Sequence, residues 1–257
     1  MYFDVLKKGI TYFRATKTPK QSHLSSNVTT VWTCDSCADK MADPDAPKYL
    51  RQSQILVPRD AEGVEILGPM KVFGHDHAPH GHMHIKFTNV RVPKDNMILG
   101  AGRGFEISQG RLGPGRIHHC MRLVGMAEKA LRLMIERGKS RDAFGKELIK
   151  LGGNYDMVAR SRMEIDSCRL QVFKCAKAMD ILDPKEARIY ISQIKALVPE
   201  IVCEIIDRSM QMHGATGVSQ WSDLSDMYMS ARILRLADGP DEVHRMVVAR
   251  NEINKYA

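Results

Sequence analysis

The chain has 257 residues, of which 44% are hydrophobic and 26% are charged, and its formal net charge is +8 at pH 7. No apolar run approaches about 18 residues, so we expect no membrane span. The basic residues are dispersed and lack interleaved aromatic residues, which argues against a nucleic-acid partner. The positive charge instead favours a nucleotide-bearing or otherwise polyanionic ligand.

Residues 1–42 show no sustained hydrophobic period, and we assign them to no domain. Residues 5–34 contain five Lys or Arg, many Ser and Thr and no acid, which is a composition found in mitochondrial transit peptides. Cys34 and Cys37 have a metal or redox spacing, but no second Cys pair follows at zinc-ribbon distance. The carboxyl end carries no peroxisomal tripeptide.

Residues 43–103 are predicted to form a partial β-sheet or barrel domain. The run 53–57 is apolar, and residues 63–66 and 84–90 alternate between apolar and polar side chains, as strands with one buried face do. Prolines separate these runs as turns, at positions 58, 69, 79 and 93.

Residues 104–257 are predicted to form a helical bundle. We expect a helix from Phe105 to Gly138 that is interrupted at 113–115, a second over 155–182 and a third over 184–212 with Pro199 inside it. Two shorter helices follow, over 229–236 and 243–249. Long helices with short loops pack antiparallel, so the fold class is α+β, a partial β domain followed by an antiparallel bundle. Four cysteines lie in helical patterns and are predicted to be reduced core residues: 120, 168, 175 and 203.

Asp238 lies on a glycine turn between the two short helices, in the run Ala237-Asp238-Gly239-Pro240. A carboxylate held at the edge of a helical core could act as a general base. The same Asp-Gly pair could equally end one helix and cap the next, which is its commoner role. The local sequence leaves both interpretations open.

Three further segments could carry chemistry. Five histidines, at positions 75, 77, 80, 82 and 84, could bind a metal ion or could be solvated turn residues. Arg141 and Phe144 suit a phosphate-bearing ring ligand, or form a plain helix connector. Gln211 and Gly214 precede Gly217, in a segment that would allow close approach of a ligand or simply end a helix.

These segments together resemble the acyl-CoA dehydrogenase family. The resemblance rests on Arg141-x-x-Phe144-Gly145, Gln211-x-x-Gly214-x-x-Gly217 and Asp238-Gly239, in this order and separated by long helices. The run 109–119, QGRLGPGRIHH, is similar to the subgroup that contains family members 10 and 11. The similarity covers about residues 43 to 256.

The resemblance implies an enzyme of fatty acid β-oxidation that removes two hydrogens from a fatty acyl-CoA. Asp238 would take the α proton, and FAD would accept the β hydride and pass electrons to an electron-accepting flavoprotein. Arg116 and Gly239 would bind the substrate. The FAD contacts would come from Arg141, Phe144, Gln211, Gly214 and Glu242. A homodimer or dimer of dimers would complete each site, in mitochondria or peroxisomes.

The sequence also departs from the family pattern. Segments corresponding to the amino-terminal helical domain and the first half of the β domain have no counterpart in residues 1–42, so we expect weak FAD retention. Glu242 stands where a flavin-facing glutamine is common. Two alternatives stay open, a non-catalytic bundle that dimerises or binds CoA esters, and a metal module built on the histidine cluster.

Overall fold

The computed structural model describes residues 2–5, 10–13, 28–32, 45–76 and 82–256. The chain divides into two compact units, Met1–Gly110 and Arg111–Ala257. The division falls inside the first long helix, which begins at Gly104, the residue where the bundle was predicted to start. None of the described helices is both long enough and apolar enough to cross a bilayer.

The first unit contains eight described strands, all paired antiparallel. Their bounds are β1 Tyr2–Val5, β2 Ile10–Phe13, β3 Val28–Trp32, β4 Gln54–Pro58, β5 Val64–Met70, β6 His82–Phe87, β7 Val90–Pro93 and β8 Met97–Ile98. The strand orders are β1-β7, β2-β6-β5 and β3-β4-β8. Short 3-10 turns occupy Lys48–Leu50 and Lys94–Asn96.

Alternating strand residues form the core of this unit. Ile85 and Phe87 on β6 and Val90 and Val92 on β7 are almost fully buried, while their neighbours Lys86 and Arg91 are exposed. This is the period of two that a half-buried strand imposes. Ile55 and Val57 on β4 belong to the same buried cluster.

The strands β1, β2 and β3 were not anticipated from the sequence. Each is only four or five residues long. Their partners β7, β6 and β4 are remote in the chain, so the pairing is tertiary rather than local. The pair Cys34 and Cys37 lies outside the described residues.

The second unit is helical. Its helices are α1 Gly104–Ser140, which enters from the first unit, α2 Asn154–Ile181, α3 Pro184–His213, α4 Leu224–Ile233 and α5 Asp241–Ile253. A small hairpin of β9 Asp142–Ala143 and β10 Lys146–Glu147 follows α1. Short 3-10 segments occupy Leu148–Lys150 and Gly214–Val218.

Side-chain pairs establish the direction of packing between α2 and α3. Arg208, late in α3, bonds to Glu164 early in α2, while Lys174 later in α2 lies over the ring of Tyr190 early in α3. The two helices are therefore antiparallel. The predicted inward stripe of α2 is buried at Ile165, Cys168, Val172 and Cys175.

Side-chain contacts also establish the direction of packing between α1 and α3. The Cys120 thiol lies 3.5 Å from the Ile194 carbonyl, and the Ser209 hydroxyl donates to the Ala130 carbonyl at 2.9 Å. Since both positions advance together, α1 and α3 are parallel, with α2 antiparallel to each. All four helical cysteines are buried and free, as predicted.

The predicted interruption of the first helix at 113–115 is wrong. The helix continues through Pro114. Proline removes one backbone donor, toward the Gly110 carbonyl, and both residues are exposed, so water can satisfy that carbonyl.

Candidate functional site

Asp238 lies in a turn of unusual backbone conformation between α4 and α5. Its φ is +58°, and that of Gly239 is +104°, so two successive residues have left-handed or related conformations. Asp and Asn tolerate this region better than other residues with a Cβ. The turn thus carries the carboxylate on a backbone that few residue types adopt.

Asp238 does not cap the following helix. The N-cap of α5 is Pro240, and no side chain bonds to the free amides there. The buried acid at the helix start is Asp241, which is 2% exposed and accepts a hydrogen bond from Arg235 Nε at 2.7 Å. The capping interpretation of Asp238 is therefore wrong, and its side chain is available for another role.

Three cationic or polar side chains hold the backbone of the turn. Arg116 Nε donates to the Asp238 carbonyl at 2.8 Å, and His244 Nε2 lies 3.3 Å from the same oxygen. The Lys195 ammonium, fully buried, bonds to the carbonyls of Leu234 at 2.5 Å and Gly239 at 3.2 Å. The turn is held from α1, α3 and α5 together.

The carboxylate of Asp238 faces α1. Its Oδ2 lies 3.1 Å from His119 Nε2, and a Cβ added at Gly115 would lie 3.6 Å from the same oxygen. The hydrogen bond from His119 lowers the pKa of Asp238; partial burial opposes this shift, and the charges of Arg116 and Lys195 add to it. The carboxylate is therefore ionised at neutral pH and can accept a proton.

Burial lowers the pKa values of three basic groups around this carboxylate. It lowers the pKa of the Arg116 guanidinium, although the charge of Asp238 opposes the change. It also lowers the pKa of the Lys195 ammonium. Burial and the nearby Arg116 charge lower the pKa of His244 to about 4, so this imidazole is neutral at physiological pH.

An ion network in which only Asp241 is buried supports the start of α5. Arg235 pairs with Asp241 and reaches Glu200 on α3 at 3.4 Å, and Arg245 bonds to the same glutamate at 2.6 Å. These contacts tie both sides of the turn to α3. They position the turn without touching the Asp238 side chain.

The structure brings together Arg116, Asp238 and Gly239, which the sequence predicts at the substrate site. Arg116 and His119 both lie on α1. They are three residues apart and therefore share one face of the helix. His119, Lys195 and His244 were missed. Lys195 could have been noticed because it falls in the apolar stripe of α3, next to Ile194.

The residues predicted to bind a cofactor lie on three other elements. Arg141 follows the end of α1, and Phe144 is at the tip of the β9–β10 hairpin, with a φ of +51° and a side chain 95% exposed. Gln211 and Gly214 are exposed at the end of α3. Glu242 is exposed in the first turn of α5.

The histidine cluster is described only in part. Among the described residues, no three His, Cys, Asp or Glu side chains are grouped so that they could hold a metal ion. His77 and His80 lie outside the described residues.

The sequence of the chain is similar to those of known proteins. A sequence model described as “Acyl-CoA dehydrogenase, C-terminal domain” matches residues 102–253. “Acyl-CoA dehydrogenase family member 10” of Mus musculus is 51% identical over 215 residues, which are 84% of this chain and 20% of that protein. “Acyl-CoA dehydrogenase family member 11” of Rattus norvegicus is 49% identical over 215 residues, 83% of this chain and 28% of that protein.

The fold is similar to a solved structure as well. A structure assigned to the acyl-CoA dehydrogenases, from Mycobacterium abscessus, superposes with a TM-score of 0.87 and 42% sequence identity. The match covers 97% of this chain and 59% of that one. The chain therefore spans less than two thirds of the length of each of these relatives.

Proposed function

The chain belongs to the acyl-CoA dehydrogenase family, as its motifs predict, and from this premise we propose that it dehydrogenates a fatty acyl-CoA at the α and β carbons. The proposed general base is Asp238. The observation that carries the proposal is the ionised, half-buried carboxylate that caps no helix and is held on a turn fixed from three helices.

Asp238 would remove the α proton of the thioester. A base of low pKa in the free protein is a weak one, but an acyl chain bound beside it would exclude water. Loss of water raises the pKa of a carboxyl group and so strengthens its conjugate base. The proton would then reside on a carboxylate oxygen of Asp238 until the product leaves.

Arg116 and Gly239 would form the substrate-facing surroundings of this base. Arg116 fixes the Asp238 carbonyl and brings a positive charge next to the carboxylate. That charge stabilises the ionised form before the substrate binds. The net charge of +8 suits the phosphates of coenzyme A and of a nucleotide cofactor.

The exposed residues on the hairpin and at the end of α3 fit FAD. A phenylalanine ring that is 95% exposed offers a stacking face, and Arg141, three residues earlier in the chain, can bind a diphosphate. At Gly214, φ is +61° and no atom lies within 4 Å of an added Cβ, so ligand can approach the backbone. Gln211 lies in the last turn of the same helix. When bound, FAD supplies the acceptor for the β hydride.

Glu242 differs from the other residues predicted to bind FAD because its side chain is acidic. A carboxylate near a diphosphate is repelled, so Glu242 would serve a part of the cofactor away from its phosphates. We further propose that a second copy of the chain completes the site. An electron-accepting flavoprotein would reoxidise the cofactor, in mitochondria or peroxisomes.

The test compares Asp238→Asn with the wild type and with Asp226→Asn, an exposed aspartate on α4. Acyl-CoA oxidation is measured with added FAD and an artificial electron acceptor, and acyl-CoA binding by calorimetry. We expect Asp238→Asn to lose about 100-fold or more in turnover while it still binds acyl-CoA, because an amide cannot accept the proton. Asp226→Asn should behave as wild type. Retained turnover in Asp238→Asn would exclude this base.

A non-catalytic, dimerising bundle is the second candidate. It is favoured by exposed apolar side chains at helical spacing on α5, at Val243, Met246 and Ile253. Sedimentation analysis together with flavin absorbance distinguishes the two functions. A dimer that binds no FAD and oxidises no acyl-CoA would support this candidate over the enzyme.

A further inference from the structure

His119 is the side chain that contacts the carboxylate of the proposed base. It lies on α1, and its Nε2 is 3.1 Å from Asp238 Oδ2. The His119 and Asp238 side chains are 18% and 26% exposed, so the contact is mostly shielded from water. Among the described residues, no other donor contacts a carboxylate oxygen of Asp238.

A second contact determines which nitrogen of His119 carries the proton. Arg122, one turn further along α1, places Nη2 2.5 Å from His119 Nδ1. A guanidinium can donate a hydrogen bond but cannot accept one. Nδ1 must therefore be the unprotonated acceptor, and Nε2 carries the hydrogen that is donated to Asp238.

Other charged groups face the turn from each neighbouring helix. Arg116 on α1 and His244 on α5 engage the carbonyl of Asp238, and Lys195 on α3 engages the carbonyl of Gly239. These three therefore hold the backbone. His119 is different because it holds one carboxylate oxygen, Oδ2, and leaves Oδ1 to receive a proton.

We propose that His119 is a positioning residue for Asp238, kept in its Nε2–H tautomer by Arg122. The positioning role of His119 rests on the proposed function of Asp238 as the base. The tautomer of His119 and its contact with Asp238 do not depend on that function. In this arrangement the polar contacts run from Arg122 through His119 on α1 to Asp238 on the turn. These contacts restrict the rotation of the carboxylate, so its free oxygen keeps one direction.

The first test is made by nuclear magnetic resonance on protein without flavin or substrate. Nitrogen-15 shifts of the imidazole report the tautomer, and the carboxyl carbon of Asp238 reports its titration, with assignments from His119→Gln and Asp238→Asn. We expect the Nε2–H form in the wild type and, in Arg122→Leu, a changed nitrogen-15 shift at Nδ1, because that nitrogen loses its donor while Asp238 still accepts from Nε2–H. Arg132→Leu, an exposed arginine on the same helix, is the control.

The carboxyl titration distinguishes positioning from mere packing. In His119→Phe the pKa of Asp238 should rise by about 1 unit, because a hydrogen bond to the charged form is lost. His119→Gln should retain most of the wild-type value, since its amide N–H reaches the Nε2 position. His118→Phe, on the exposed neighbour, should change nothing. A wild-type Nδ1–H tautomer, or an unchanged titration in His119→Phe, would overturn the proposal.

A kinetic arm tests the positioning itself in the acyl-CoA assay. We expect kcat to fall about 10-fold to 100-fold in His119→Phe with KM unchanged, and to recover in His119→Gln. An equal loss in both variants would assign a structural role to the imidazole and overturn the proposal. A wild-type protein that oxidises no acyl-CoA would refute the proposed function, and the spectra would still decide the contact.

Discussion

Acidification should destabilise the helical unit through one buried imidazole, that of His244. This side chain is 3% exposed, and its Nδ1 lies 3.4 Å from the Ser192 hydroxyl. Since Nε2 donates to the Asp238 carbonyl, both ring nitrogens are engaged by the neutral form. Protonation would place a charge in a buried site that already contains the Arg116 and Lys195 charges.

The two pKa values give the size and sign of the effect. The pKa of His244 is 6.5 in the unfolded chain and about 4 in the folded one. Below pH 6.5 the unfolded chain takes up a proton that the folded chain does not, so the free energy of unfolding decreases as the pH falls toward 4. The full difference corresponds to about 3 kcal/mol, of which about 2 kcal/mol is lost by about pH 5.

Urea unfolding followed by circular dichroism at about pH 7.5 and about pH 5 measures this loss. His244→Gln keeps an N–H that can reach the Asp238 carbonyl but has no titrating ring, so we expect it to lose about 2 kcal/mol less stability than the wild type on acidification. His118→Gln, at an exposed position, is the control and should follow the wild type. Equal losses in the wild type and His244→Gln would refute the view that the ring is buried and neutral.

Two further variants test how the turn is held. Lys195→Met should lower the free energy of unfolding by about 2 kcal/mol, because two carbonyls lose charge-assisted hydrogen bonds, although the loss of a buried charge offsets part of this cost. Urea unfolding measures the change, with the exposed Lys177→Met as the control. A change below about 0.5 kcal/mol would contradict the role of Lys195 in holding the turn. Gly239→Ala should destabilise more than Gly214→Ala in a thermal scan, since both have positive φ but only at Gly239 would the new Cβ lie 2.9 Å from a buried imidazole. Equal shifts in melting temperature would contradict this reasoning.

The helical half of the fold could be predicted because its signal is local. Apolar residues at helical spacing identified α2 and α3 to within one residue at either end, and the α+β class is confirmed by the similarity to the solved structure. Proline at 114 misled the interpretation of α1, since an exposed proline breaks one hydrogen bond but not the helix. The strands β1 to β3 depend on remote partners, which no short window contains.

The candidate site was predictable only as a set of separate motifs. Asp238 and Arg116 were identified by resemblance, and their contact appears only in the folded chain. His119 could have been found by asking which residues share a helix face with Arg116. His244 and Lys195 act on backbone carbonyls, and such contacts leave no motif in a sequence. The roles of the exposed residues Phe144 and Gln211 stay predictions.

The left-handed backbone of Asp238 also limits which acid this position can hold. Aspartate and asparagine are the side chains with a Cβ that occupy such conformations most readily, whereas glutamate has no such preference. A longer acid would also have to fit between the turn and α1, where a Cβ added at Gly115 would lie 3.6 Å from Oδ2. The left-handed turn therefore favours the shorter of the two acidic side chains at position 238. Asp238→Glu would combine a strained backbone with a longer side chain facing α1.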